Sequence, residues 1–320
     1  MKGYKGFNDK LQCTPEGKVF QYEVGKEYVE PKAELCQTGF HFCENPLDVL
    51  RYYQPATGRY AEVEAEEVSD KKESDSKRVS KKLKIVAEIK LKSLIDLGVK
   101  FLLEKADKPV SGDSSPAATS GYSSPAATSG DSSPAATSGY SSPAATSGYY
   151  SPAATSGYYS PAATSGYYSP AATSGYSSPA ATSGYYSHAA TSGDSSHAAT
   201  SDNYSPAATS GYYSPAATSG DSSPAATSGN SSPAATSGYY SPAATSGDSS
   251  PAATSGEESI ACSIGVQATA KSALGNWIVL AEYKEGTREV LTVKTAKVDG
   301  KKLKADTFYK LKKGKFIVVE

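Results

Sequence analysis

Residues 111–270 contain no lysine and no arginine, and the whole 320-residue chain has one Met and one Trp. That cation-free middle holds six Asp and two Glu, a net of −8. Residues 1–110 carry 20 Lys/Arg against 19 Asp/Glu (+1) and residues 271–320 carry 12 against 6 (+6), which together give the chain its −1. An acidic middle without cations argues against duplex nucleic acid as a partner along it. The four cysteines, Cys13, Cys36, Cys43 and Cys262, are too few and too scattered for a disulfide scaffold. Cys13, Cys36, His41 and Cys43 would make a Cys3His zinc set, but six residues separate Cys36 from Cys43 where about two to four are usual. No metal and no cofactor is expected. No apolar run reaches about 18 residues, so neither a helical membrane span nor a membrane partner is expected. Residues 1–8 lack the apolar core of an export signal, which places the expected protein in the cytoplasm or in a virion-like particle.

What the middle does contain is one unit repeated. Residues 111–254 are sixteen consecutive nine-residue copies of the consensus Ser-Gly-(Asp/Tyr/Asn)-(Ser/Tyr)-Ser-(Pro/His)-Ala-Ala-Thr, and residues 255–263 and 264–272 are two degenerate copies. A strict short period is the signature of a solenoid, whose units must stack to bury anything. Gly at the second place suits a turn needing positive φ, and the residue before proline is held extended, so each unit reads as turn plus strand. Nine residues cannot enclose an interior. Two units can, which predicts a two-sheet β-roll of nine coils. Alternation along the strand points the fifth, seventh and ninth places (Ser, Ala, Thr) inward, and in the last copy Ala268, Ala270 and Ser272, with Lys271 facing water. The unit lacks the Gly-Gly-x-Gly-x-Asp of calcium-binding rolls, so calcium is not expected to be structural.

Variation concentrates at the third and fourth places, which hold 16 of the 24 tyrosines. With two units per coil, Tyr122, Tyr140, Tyr158 and Tyr176 should stack on one side and Tyr149, Tyr167 and Tyr185 on the other. Such ladders either stabilise the rod or bind a protein or glycan partner, since exposed aromatic surfaces mark interaction sites. His188 and His197 replace Pro in successive units and read as drift at an outward position. Oligomerisation stays open.

The flanks supply material to cap the array. Residues 84–91 alternate as a strand; 93–105 read as a helix with a Ser93/Asp96 capping pair and a face of Leu94, Leu97, Phe101 and Leu102, stopped by Asp107, Lys108 and Pro109. The hydrophilic run 66–82 reads as a mobile loop. After the array, residues 277–283, 289–297 and 316–319 read as three strands that cover the last coil with Ile264, Leu274 and Trp277. The expected architecture is mainly β: an N-terminal α+β domain (1–110), a nonapeptide-repeat β-solenoid (111–272) and a small C-terminal β cap (273–320).

The segments Gly3-Tyr4-Lys5-Gly6-Phe7, residues 22–28 and 39–53, the repeat, and residues 275–282 together resemble a family of bacteriophage and bacterial proteins with an N-terminal domain of unknown function. That resemblance implies a phage or prophage setting and no particular activity. Residues 259–265 look like the β-roll head repeats of trimeric autotransporter adhesins. A second likeness is to ADP-ribosyltransferases: Tyr4-Lys5-Gly6 stands where that family has aromatic-Arg-Gly, Phe40-His41-Phe42-Cys43 where it has a strand ending in Ser or Thr, residues 46–53 where it has a helix, and Glu62 or Glu64 where it has its catalytic Glu. This likeness implies an NAD-consuming site built from Tyr4, Lys5, His41 and Glu64, with Lys and Cys departing from the pattern. The expected function is non-enzymatic binding or display by a rigid rod. The alternatives are that transferase activity and an ice-binding solenoid, for which only the inward ninth place is always Thr.

Overall fold

A computed structural model describes residues 1–15, 18–34, 37–53, 58–69, 76–105 and 112–319. From Ala117 to Ser272 the chain is a β-solenoid of about nine turns with two short strands per coil, β8 (Ala117–Thr119) through β25 (Ala270–Ser272). Strands of the odd-numbered repeats stack in one sheet and those of the even-numbered repeats in another, every pair parallel and in strict register, Ala135 on Ala153 and Thr137 on Thr155. A period of 18 residues therefore superimposes each side chain on its copy in the next coil.

The seventh-place alanines form an unbroken buried column, Ala126 to Ala270, between the sheets. A methyl contributes little, about 0.8 kcal/mol, so hydroxyls fill the rest of the core. The fifth-place Ser151 accepts the Ser133 amide at 2.9 Å and donates to the Gly130 carbonyl at 2.9 Å, both in the preceding coil. Within a coil, the ninth-place Thr146 donates to the carbonyl of Ser151. Each buried hydroxyl of this kind thus replaces its lost water, which makes a thin polar core stable.

The glycine places itself differently from the sequence-based expectation. The left-handed residue of each turn is the fourth one, Ser114 (φ 56°) or Tyr150 (φ 53°), whose amide donates to the third-place carbonyl of the next coil, as Tyr150 does to Tyr167 at 3.0 Å. The second place is glycine because coils meet there: a Cβ on Gly148 would lie 2.0 Å from the Gly130 carbonyl oxygen.

The N-terminal domain is a small barrel with helices beside it. Its strands β1 (Lys2–Phe7), β4 (Glu27–Val29), β5 (Phe40–Cys43), β6 (Arg59–Val68) and β7 (Lys77–Ile89) run in the order β4-β7-β5-β1-β6, and β6 also pairs with β7, closing the ring. The expected mobile loop at 66–82 is instead largely strand, the end of β6 and the start of β7, held by cross-strand pairs such as Val68 with Ser80; residues 70–75 lie outside the described ones. Phe7, Tyr22, Phe40, Phe42, Leu83 and Ile85 fill the barrel, with Phe7 and Tyr22 edge-to-face at 5.1 Å. The segment 46–53 forms a 3-10 helix, Pro46–Arg51, whose Asn45 side chain accepts the Leu47 amide. The helix α1 (Leu91–Lys105) starts two residues before its expected N-terminus, which leaves Ser93 inside it; Asp96 bonds to the solenoid instead of capping, and the expected stop at 107–109 lies outside the described residues.

This domain lies along the side of the solenoid. Leu94, Ile95 and Leu102 of α1 pack with Leu47 and Leu50 on Ala145, Ala163 and Ala181, the eighth-place alanines on the outer face of the even-repeat sheet. The equivalent alanines of the odd-repeat sheet, such as Ala154 and Ala172, face outward uncovered. At the far end, both sheets are extended by a C-terminal unit of four strands rather than three. β26 (Trp277–Tyr283) and β27 (Val290–Lys297) continue one sheet, and β28 (Tyr309–Lys312) and β29 (Lys315–Val318) the other. Ile278, Leu280, Val298 and Tyr309 complete the core there, whereas Ile264, Leu274 and Trp277, expected to cover the last coil, are exposed. Ala270 and Ser272 point inward and Lys271 outward as expected, its ammonium 5.2 Å from the Phe308 ring centroid. Among the described residues no helix is long and apolar enough to cross a membrane.

Candidate functional sites

The turns at the two edges of the solenoid present the tyrosines. On the even-repeat edge, Tyr122 and Tyr140 stack at 5.0 Å, Tyr140 and Tyr158 at 6.4 Å, and Tyr158 leans on Tyr176 at 6.0 Å. On the odd-repeat edge, Tyr149 stacks on Tyr167 at 5.1 Å and Tyr167 leans on Tyr185 at 5.9 Å. Beside this row runs a second one that the sequence reading passed over: Tyr150, Tyr168, Tyr186 and Tyr204 stack at 5.0–5.2 Å. Fourth-place tyrosines repeat every 18 residues just as the third-place ones do, so the same period carried the signal. Tyr149, Tyr150, Tyr167 and Tyr168 are each about half exposed, and the double row offers ring edges and hydroxyls to solvent.

Where the third place is Asp or Asn, it serves the backbone instead. Asp131 accepts the amide of Tyr149 at 2.8 Å and Asp221 that of Tyr239 at 2.8 Å. Tyr and Asx are two solutions of one position, a stacking one and a hydrogen-bonding one.

In the N-terminal domain, Tyr4, Lys5 and His41 line one cleft of about 370 Å3 together with Cys43, Tyr52, Tyr53 and Lys77. The cleft lies at the seam between β1 and β5, where the strands pair at Tyr4 and Cys43 alone. Beside that pair the Lys5 ammonium crosses to β5 by donating to the His41 carbonyl at 2.7 Å. Tyr53 covers Gly6, at which a Cβ would lie 2.4 Å from the ring, and its hydroxyl donates to Cys13 Sγ at 2.9 Å. Burial, with Cys13 beside it, pushes the Tyr53 phenol well above its usual range. Of the other candidate residues, Glu62 sits on the outer face of β6 paired to Lys2 at 2.9 Å, and Glu64 is exposed on the same strand; neither lines the cleft. Cys36 of the zinc set lies outside the described residues, and Cys13 donates to the Gly6 carbonyl.

His197 corrects the reading of the two histidines as drift. His188 is exposed on the odd-repeat sheet, but His197 is 8 % exposed on the even one, where its Nδ1 lies 2.5 Å from the Leu50 carbonyl oxygen. It docks the N-terminal domain. Ser183 donates to Asp96 at 2.5 Å and Lys92 pairs with Asp202 at 2.8 Å on the same face.

Residues 1–97 match a family described as a domain of unknown function, DUF7666. No curated protein and no solved structure matches the chain.

Proposed function

We propose that the protein works by binding or display, without turnover, its solenoid acting as a rigid contact surface. The observation that carries the reading is the double tyrosine row, Tyr149, Tyr167 and Tyr185 beside Tyr150, Tyr168, Tyr186 and Tyr204, its rings held 5.0–5.9 Å apart along each row by the coil repeat. Regular exposed aromatics suit an uncharged polymer, a glycan chain, which packs along the exposed ring edges and bonds to the phenol hydroxyls. The −8 charge of residues 111–270 argues against a polyanion. The setting proposed with it, a phage or prophage particle, rests on the resemblance of the N-terminal and repeat motifs, as does the likeness to adhesin heads. The test is binding of the full chain to a glycan array beside a Tyr167→Ser/Tyr168→Ser variant. Retention of defined glycans by the parent and its loss in the variant support the reading; equal behaviour of the two removes it.

A second reading, NAD-consuming transferase activity in the N-terminal domain, is favoured by the cleft that gathers Tyr4, Lys5 and His41. Glu64, its acid, stands outside that cleft. Release of nicotinamide from NAD by the full chain, abolished by Glu64→Gln or Glu62→Gln, would establish it.

A further inference from the structure

Lys5 is a cation placed inside a barrel. It sits on β1 between Gly3 and Phe7, on the strand face that looks into the aromatic core, and is 6 % exposed. Its ammonium lies 5.7 Å from the Phe7 ring centroid and 5.4 Å from that of Tyr22, and its hydrogen bond goes to the His41 carbonyl. Among the described residues no carboxylate stands within ion-pair distance of it. An ammonium carries three donors, and a buried charge is costly unless paired and fully bonded. A carbonyl and two ring faces leave it short of a counter-charge.

The same residue lines the cleft at the β1–β5 seam, and none of the described residues that line it is acidic. A second cation, Lys77, stands at that cleft with its ammonium 4.8 Å from the Tyr52 ring centroid. The remaining walls are largely flat rings, Tyr4, Tyr52 and Tyr53, and the volume of about 370 Å3 is that of a small-molecule site.

We propose that this cleft binds a small molecule bearing a carboxylate or phosphate on a flat ring, the anion meeting the Lys5 ammonium and the ring lying among the tyrosines. The anion supplies the counter-charge that the barrel withholds, in a low-dielectric site where such a pair is strong. The cleft gives the room, and the Lys5 bond to His41 holds the ammonium in place before the ligand arrives. This site is separate from the tyrosine rows and stands whether or not they bind a glycan.

Calorimetric titration of the full chain with two matched pairs tests it: benzoate against benzamide, and adenosine monophosphate against adenosine. The charged member of at least one pair should bind about tenfold or more tightly than its neutral partner. Preference within the first pair identifies an aromatic acid, within the second a nucleotide, and either supports the proposal. Lys5→Met, which keeps the apolar stem in the core, should abolish the preference while leaving the neutral member unchanged. Should that variant fail to fold, Tyr52→Ala at the exposed rim should weaken both members of the pair alike. No binding by any probe, equal affinity within both pairs, or a preference that survives Lys5→Met would overturn it.

Discussion

Nδ1 of His197, in the tenth repeat, lies 2.5 Å from the carbonyl oxygen of Leu50, a separation of 147 residues in sequence. The carbonyl can only accept, so the neutral imidazole donates from Nδ1. Burial pushes the His197 pKa down to about 4, against a smaller upward pull from that hydrogen bond. The contact ties the solenoid to the 3-10 helix beside α1 and makes the union of the two parts sensitive to protons.

The sign follows from linkage. The group's ordinary value is 6.5 and its folded value is lower, so the unfolded chain binds more protons throughout the interval between them. The contribution is complete above pH 6.5, falls as the pH drops through that interval, and levels off near 4; its full span is roughly 3 kcal/mol. His197→Pro restores the consensus residue and removes the titrating group. Denaturant unfolding at pH 7 and pH 4.5 should show the parent losing more stability than the variant. Parallel losses would sink the assignment.

Ile95 is fully buried between Leu47 and Leu50 of its own domain and the alanines of the even-repeat sheet. Ile95→Ala leaves a cavity at that junction and should cost about 2–5 kcal/mol. The loss should fall on the union of the parts. In hydrogen exchange, α1 amides should lose protection while strand amides of the array keep theirs.

The solenoid was legible because its period, its inward Ser, Ala and Thr, and Lys271 all state the same two-unit coil. The docking face was not. Ala163, covered by α1, and Ala172, bare to solvent, occupy the same place in identical Pro-Ala-Ala-Thr strings, so nothing local separates them. What marks the covered face is the pair of departures from consensus close to it, His197 for Pro and Asp202 for Gly, which bond to Leu50 and Lys92. The N-terminal cleft was half legible. The likeness to ADP-ribosyltransferases grouped Tyr4, Lys5 and His41, which one cleft gathers, but Glu64 is separated from them by the pleat of β6, which turns Glu62 and Glu64 to the outer face while Ala61, Val63 and Ala65 point in.

Ser160 tests the polar core. Its hydroxyl accepts the Ser142 amide at 2.9 Å and donates to the Gly139 carbonyl at 2.9 Å, and water cannot reach either group. Ser160→Ala strands both, at about 1–3 kcal/mol for each unpaired group. Ser160→Cys, near in size but weak in hydrogen bonding, should recover little of that loss. An unfolding midpoint unchanged in Ser160→Ala would show that the hydroxyl ladder is dispensable.

Gly148 tests why the second place is glycine. The backbone there avoids positive φ, so conformational freedom is not the reason. The reason is contact: a Cβ would stand 2.0 Å from the Gly130 oxygen and 2.5 Å from its carbonyl carbon, distances that backbone atoms can relieve only by parting the coils. The repeat array departs from glycine at this place once. Asp202 occupies this place in the eleventh repeat, and the neighbouring cross-coil bond from the Tyr186 amide to the Asn203 carbonyl is 3.3 Å, against 3.0 Å for Tyr168 to Tyr185. Near Asp202 the stretch is accompanied by the docked domain and the Lys92 ion pair. Gly148 has no such partner, so Gly148→Ala should destabilise the array by more than the ~1 kcal/mol scale of an ordinary single substitution, with lost hydrogen-exchange protection confined to the coils on either side. If Gly148→Ala instead unfolds at the parent's midpoint, the coils have slack that the Tyr168 and Tyr186 bonds do not reveal, and close approach is not what selects glycine.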